Sequence, residues 1–296
     1  MATPETLRRR IQSTETLRKV VQTMKALATV RIAQVRRAVV ALDESVATLE
    51  FAFQVLLQRE PELADVLLPR GSDAWGALLF GSDHGLCGPF NDRLARFAAE
   101  RFTALEPGGE APRIMVAGKR LRPRLAQLGY DVERALPLPG TMDATEDAVA
   151  AVVAQVEAWH DDHDVERVFV IHHQPTTGVQ YQPIVFQVLP IDLAWLRSLR
   201  ERAWPSPHLP MTGVDGRLLL RSLVRQHLAH VLVRAFAASQ AAENAARLAA
   251  MEAAERNVDE RLTQLQHTAN LVRQTAVTAE LLDVQSAYAA SGEPGT

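Results

Sequence analysis

The stretch LRRRIQSTETLRKVVQTMKALATVRIAQV, Leu7–Val35, decides how the rest of the chain is read. Its seam positions step by threes and fours, at Leu7, Ile11, Thr14, Leu17, Val21, Met24, Ala28, Ile32 and Val35. The series continues through Val39, Leu42, Val46, Leu49 and Phe53 to Leu56. Alternating steps of three and four hold one stripe of side chains on one side of an α-helix, the seam of a coiled coil. Pro61 and the segment Pro69–Asp73 close it. At ~1.5 Å per residue such a helix is on the order of 75 Å long, too long for the ordinary helix of a compact domain.

The C-terminal part repeats the pattern. Leu220, Val224, Leu228, Val231, Ala235, Ala238, Ala242, Ala245, Leu248 and Met251 lead on to Val258, Leu262, Leu265, Ala269, Val272, Ala276, Ala279, Leu282 and Ser286, and no proline falls between Pro210 and Pro294. A helix from about Thr212 to Ala289 is expected, ~110 Å at the same rise. Two such seams in one chain pair most simply with each other, antiparallel if the middle of the chain returns to the end where the first helix stops. The longer C-terminal helix then projects beyond its partner.

Between the seams the period changes. WGALLF (Trp75–Phe80), RIMVAG (Arg113–Gly118), RVFVIHH (Arg167–His173) and QPIVFQVLPI (Gln182–Ile191) read as strands. The first three are short apolar runs of the kind buried on both faces. Helical stretches over Asn91–Ala104, Lys119–Leu128 and Asp143–His160 separate them, and Trp204–Pro210 is a linker. The alternation predicts a small, mostly parallel sheet with covering helices. The expected fold is α+β: a long antiparallel coiled coil of the two terminal helices plus a Rossmann-like α/β domain. Its divisions are residues 1–60, 70–205 and 212–290, with the last pairing with the first.

Composition is that of an ordinary soluble globular protein, 47% hydrophobic and 23% charged, with no apolar run long enough to cross a bilayer. MATPETLRRR lacks the apolar core of a secretory signal, and the single cysteine, Cys87, excludes a disulfide framework, so the chain reads as cytosolic. Residues 1–40 carry nine Lys and Arg against two Glu. A basic helix face of this kind is more commonly solvated than bound to nucleic acid.

GSDHGLCGPFN, Gly81–Asn91, concentrates three glycines, a histidine, an aspartate and the cysteine at the end of the first strand. Its glycines are four and three apart and Pro89 follows where a phosphate loop would place Lys, so nucleotide binding is disfavoured. A helix N-terminus would activate Cys87, and His84 is three residues away, yet two residues make no triad and no metal site. A strand-to-helix turn, with Asp83 or Asn91 capping the helix, is the simpler reading. His172 and His173 fall on opposite faces of a strand, and one of His227 and His230 is a seam residue. His160–Asp164 reads as a solvated loop. No catalytic site, cofactor site or metal site is expected. The alanine-rich run Ala235–Ala254 admits two explanations: helix propensity in an arginine-rich, GC-biased composition, or a narrow rod that must fit inside something.

Three blocks resemble the gamma subunit of F-type ATP synthases, the central rotor shaft. They are RRRIQSTETLRKVVQTMKALATVRI (Arg8–Ile32), SDHGLCGPFN (Ser82–Asn91), and the pair ARLAAMEAAERNVDERL (Ala246–Leu262) and LVRQTAVTAELLDV (Leu271–Val284). The resemblance covers essentially the whole chain. It implies a non-catalytic subunit that carries torque between an ion-driven ring of c subunits and an alpha/beta catalytic hexamer. Its implied partners are the alpha, beta and epsilon subunits and that ring, with no nucleic acid and no insertion into the membrane, at the cytoplasmic face of a bacterial inner membrane. Residue by residue, Met24 and Lys25 match a segment near the catalytic beta subunits, and Arg273, Gln274 and Thr278, followed by Glu280, match a block that contacts the beta-subunit catch loop. Ser82, Asp83, Gly85, Leu86, Cys87, Gly88 and Asn91 match the family's signature turn. Pro89-Phe90, Lys25, Thr29-Val30-Arg31 and Arg256 depart from the family pattern. They suggest a diverged branch, such as the alternative bacterial rotary ATPases, some driven by sodium. The competing reading is a coiled-coil scaffold or adaptor with an α/β head.

Overall fold

A computed structural model of the chain describes residues 3–69, 71–105, 111–139, 143–176 and 180–291; the side chains of residues 36, 38–45, 143 and 287–291, inside helices, lie outside the description. The elements run α1 (Pro4–Arg59), a 3-10 stretch (Pro61–Leu67), β1 (Trp75–Phe80), α2 (Phe90–Leu105), β2 (Arg113–Ala117), α3 (Arg122–Gln127), β3 (Arg134–Leu136), α4 (Asp143–His163), β4 (Arg167–Pro175), β5 (Tyr181–Leu189), α5 (Leu193–Glu201) and α6 (Gly216–Ser291). Long terminal helices with an α/β sheet between them are the fold class the sequence predicts. Contacts divide the chain into two units, Met1–Leu27 with Leu248–Thr296, and Ala28–Arg247.

In the second unit the sheet has the order β3-β2-β1-β4-β5, parallel except for the β4–β5 pair. Central β1 is buried along its whole length, as a strand covered on both faces must be. Trp75, Ala77 and Leu79 meet Leu94, Ala98 and Phe102 of α2 on one face. Leu78 and Phe80 meet Val152, Val156 and Trp159 of α4 and Leu232 and Phe236 of α6 on the other. Gly76 belongs to that second face, where a Cβ would come within 2.6 Å of the Trp159 ring, so the indole takes the place of a side chain. A third cluster joins Phe53, Leu56 and Leu57 of α1 to Leu196 and Leu199 of α5 and Leu220 and Leu223 of α6.

Several boundaries differ from the sequence reading for local reasons. α6 starts at Gly216 and not Thr212 because the Asp215 carboxylate accepts from Arg217 N (3.0 Å) and Leu218 N (3.2 Å), a side-chain N-cap. β2 ends before Gly118, whose φ of +107° turns the chain. α4 runs to His163, so His160–His163 are helical and not a loop. The three-residue β3 was too short to carry a period.

In the first unit α1 and α6 are antiparallel. Arg18 Nε lies 2.9 Å from Asp259 Oδ1, Lys25 Nζ lies 3.0 Å from Glu255 Oε2, and Gln22 Nε2 donates to Glu255 Oε1 at 3.1 Å. The buried apolar residues of this unit are Leu7 and Val21 of α1 and Met251, Val258, Leu262 and Leu265 of α6. The seam assignment at Leu17 fails: its side chain is 51% exposed. Both Leu17 and Arg18 fit between Thr14 and Val21 in a three-four pattern; neither is buried, and Arg18 reaches Asp259 at the half-exposed margin of the helix pair. The stretch of α6 from 273 to 286 is exposed on every side, so the expected seam at Ala276, Ala279, Leu282 and Ser286 is solvent-facing in this chain.

Candidate functional site

The densest set of polar contacts in the second unit surrounds the turn after β1. Ser82 is fully buried, and Asn91, at the start of α2, closes the turn on it. Asn91 Oδ1 accepts from Ser82 N (3.0 Å) and its Nδ2 donates to Ser82 Oγ (2.7 Å). Ser82 Oγ in turn donates to His84 O (3.1 Å). Asp83 reaches outward, with one carboxylate oxygen accepting from Lys119 N and the other from Leu138 N, both at 2.7 Å. One side chain thereby fixes the loops after β2 and β3 to the end of β1. The close approach needs Gly118, where a Cβ would stand 2.6 Å from Ser82 N. Gly85 lies under the Arg120 guanidinium, and Leu86 and Gly88 bend the chain around Cys87 with φ of 64° and 57°.

Asn91 and Asp83 were both read as candidates to cap α2. Neither does so in the contacts described; both tie the turn to the sheet. Cys87 is buried against Phe90, Ala242 and Ala246, and its Sγ faces the His84 carbonyl at 3.7 Å, with the exposed His84 ring serving no base role toward it. Burial pushes the thiol above its ordinary value, the reverse of what a nucleophile requires. Among the described residues no group of three or more His, Cys, Asp or Glu is arranged to hold a metal ion.

The underside of the turn is α6, and here the structure adds residues that sequence reasoning passed over. Ser239 Oγ donates to Phe80 O (3.0 Å) and Gln240 Nε2 to Pro139 O (2.9 Å). Glu243 and Arg247 form a buried ion pair one helical turn apart, and Arg247 also donates to Asn244 Oδ1 (3.1 Å). Burial raises the Glu243 pKa above the ordinary carboxylate value and Arg247 opposes the rise. His173, with no exposed surface, holds Phe90 O through Nε2 at 2.9 Å; burial lowers its pKa to about 4. The available signal was the set of polar residues interrupting the alanines at 239, 240, 243, 244 and 247, spaced to fall on neighbouring strips of one helix. The turn with α6 is a buckle: it joins three strand ends to one helix.

The remaining predicted residues lie in the first unit. Met24 is half-buried, and Lys25 is engaged with Glu255. Arg273, Gln274, Thr278 and Glu280 are all exposed, and Thr278 Oγ1 donates back to Gln274 O at 2.9 Å. Lys25 is level with Glu255, so Arg273 stands about eighteen residues further along α6, ~27 Å away along the axis. The two groups form two separate levels on one helical pair and make no common site.

A family model described as ATP synthase matches residues 3–290. The chain belongs to this family. Among curated members, the ATP synthase gamma chain of an Anaeromyxobacter sp. is 28% identical over 94% of this chain and 95% of its own length. That of a Nostoc sp. is 25% identical over 95% and 96%. Among solved structures, a rotor chain of the Euglena gracilis mitochondrial ATP synthase has a TM-score of 0.62 at 15% identity, covering 93% of this chain and 98% of that one. A chain of the Tetrahymena thermophila central stalk and c-ring has a TM-score of 0.56 at 17% identity, covering 79% and 99%. At those identities the structural likeness concerns the fold. No helix among the described residues is long and apolar enough to cross a membrane.

Proposed function

We propose that the chain is the gamma-type central-stalk subunit of a rotary ATP synthase, transmitting torque between an ion-driven membrane ring and an alpha/beta catalytic hexamer. The observation that carries the reading is the state of α6. Its family match reaches residue 290, yet from 273 to 286 the helix is exposed all round and carries Val277, Leu281, Leu282 and Val284 into solvent. Such a segment needs an external sleeve. On this reading Arg273, Gln274, Thr278 and Glu280 meet one beta subunit at the tip, and Met24 and Lys25 meet it at the lower level. A shaft that presents different groups to three otherwise equal subunits couples rotation to their states by differential contact. The chain performs no bond chemistry, and it works with the epsilon subunit and the c-ring at the cytoplasmic face of a bacterial inner membrane. The transported ion is chosen by the ring.

Native mass spectrometry of the complex co-purified with the tagged full chain tests this. One copy with three alpha and three beta subunits is expected; symmetric homo-oligomers free of those subunits would establish the scaffold reading instead.

A further inference from the structure

A cleft of about 590 Å³ in the second unit, separate from the buckle, is bounded by α1, β4, β5, α5 and α6. Three imidazoles line it: His172 from β4 and His227 and His230 from α6. His172, 2% exposed, holds His173 O through Nδ1 at 2.9 Å. A carbonyl can only accept, so the neutral ring carries its proton on Nδ1 and keeps Nε2 as the basic nitrogen. His227 lies against the Trp195 indole of α5 at 4.8 Å and the Phe53 ring of α1 at 6.1 Å. Phe186 of β5 lies against His172 at 5.7 Å. The imidazoles therefore sit among the ring contacts by which α5 and the end of α1 are seated on α6 and the sheet.

The charges around the cleft do not favour added protons. Among the described lining side chains, α1 supplies Glu50, already paired with Arg202 at 3.0 Å, and α6 supplies a further cation, Arg234. β5 and α5 contribute no charged group, and β4 adds only the neutral Gln174.

We infer that this cleft is an acid-sensitive seat: on acidification the imidazoles of His172 and His227 take up protons, water enters, and α5 with the adjoining turn of α1 loosens from β4, β5 and α6. Burial lowers the pKa of His172 and of His227 from the ordinary histidine value, and for His227 the neighbouring His230 adds to the effect. The sign follows. A histidine held below its open-state value favours the closed form fully above pH ~6.5 and loses that contribution as pH falls below it.

The test uses the full chain labelled with 5-fluorotryptophan and followed by fluorine NMR from pH 7.5 to 5.5. The Trp195 signal, assigned with Trp195→Phe, is expected to shift and broaden while those of Trp75 and Trp159, in the sheet cores, stay in place. In the His172→Asn, His227→Gln, His230→Gln triple variant the Trp195 change is expected to disappear; if that variant does not fold, His227→Gln alone reduces the change by half or more. An unmoved Trp195 signal overturns the inference. So does an equal shift in the variant, or a shift of all tryptophans together, which would mark global acid unfolding through His173.

Discussion

Residues 235–247 and residues 273–286 belong to one uninterrupted helix, yet their environments are opposite. In the first stretch every residue is buried apart from the half-buried Ala238 and Gln240; in the second every residue is exposed. The first is mostly alanine because it is covered on several sides: Phe236 faces the sheet, Ala242 and Ala246 face Cys87 and Phe90, and Ala237 and Ala241 face Val35 of α1. Small side chains let a helix be surrounded that closely. The second stretch carries leucine and valine, and among the described residues nothing covers them. The alanines of the first stretch thus go with close cover from this chain, and the proposed sleeve would supply the cover that the second stretch lacks.

The contrast can be broken most severely at Phe236, whose ring sits 4.3 Å from that of Phe80. Phe236→Ala leaves a cavity between sheet and helix and is expected to cost about 3–5 kcal/mol in urea unfolding of the full chain, whereas Leu282→Ala at the tip is expected to change the midpoint by less than about 0.5 kcal/mol. Comparable effects at both sites would mean that the tip is packed after all.

Acid acts next. His173 is buried neutral with a pKa near 4 against 6.5 in the open chain, so its contribution is complete above pH 6.5 and is lost as pH falls toward 4. The integrated effect is about 3 kcal/mol. Urea midpoints measured at pH 7.5 and 4.5 are expected to differ less in His173→Gln than in the parent; an unchanged difference would remove His173 from the account. At the buckle, Asn91→Ala strips two contacts from buried Ser82 and is expected to cost about 1–3 kcal/mol by the same measurement.

The smallest stability effect should accompany the largest functional one. Arg273→Ala with Gln274→Ala touches only exposed groups, so the unfolding midpoint is expected to hold within about 0.5 kcal/mol. Assembly should also survive, while ion pumping per ATP hydrolysed falls in membrane vesicles. Undiminished pumping would remove the assigned contact.

What could be read from sequence divides along the same line. The two long helices and β1 were legible because their periods are sustained or their apolar run is continuous. Seam phase was not, because Leu17 and Arg18 satisfy the heptad equally and in the fold both stay about half exposed, with Arg18 paired to Asp259 at the margin. The buckle was half legible. GSDHGLCGPFN declared itself as a turn, but the partners of Asp83 lie 36 and 55 residues away, and no local pattern connects them. The exposed tip residues came only from likeness to a family, since exposure of an apolar helix has no signature in its own sequence.

Hydrogen exchange of α6 residues 273–286, measured in the isolated chain and again in the chain bound to its alpha and beta partners, addresses the proposed sleeve most directly. Slowing of those amides by at least an order of magnitude on assembly, with residues 235–247 equally protected in both states, is the expected result. Equal exchange of the tip in the two states would contradict it.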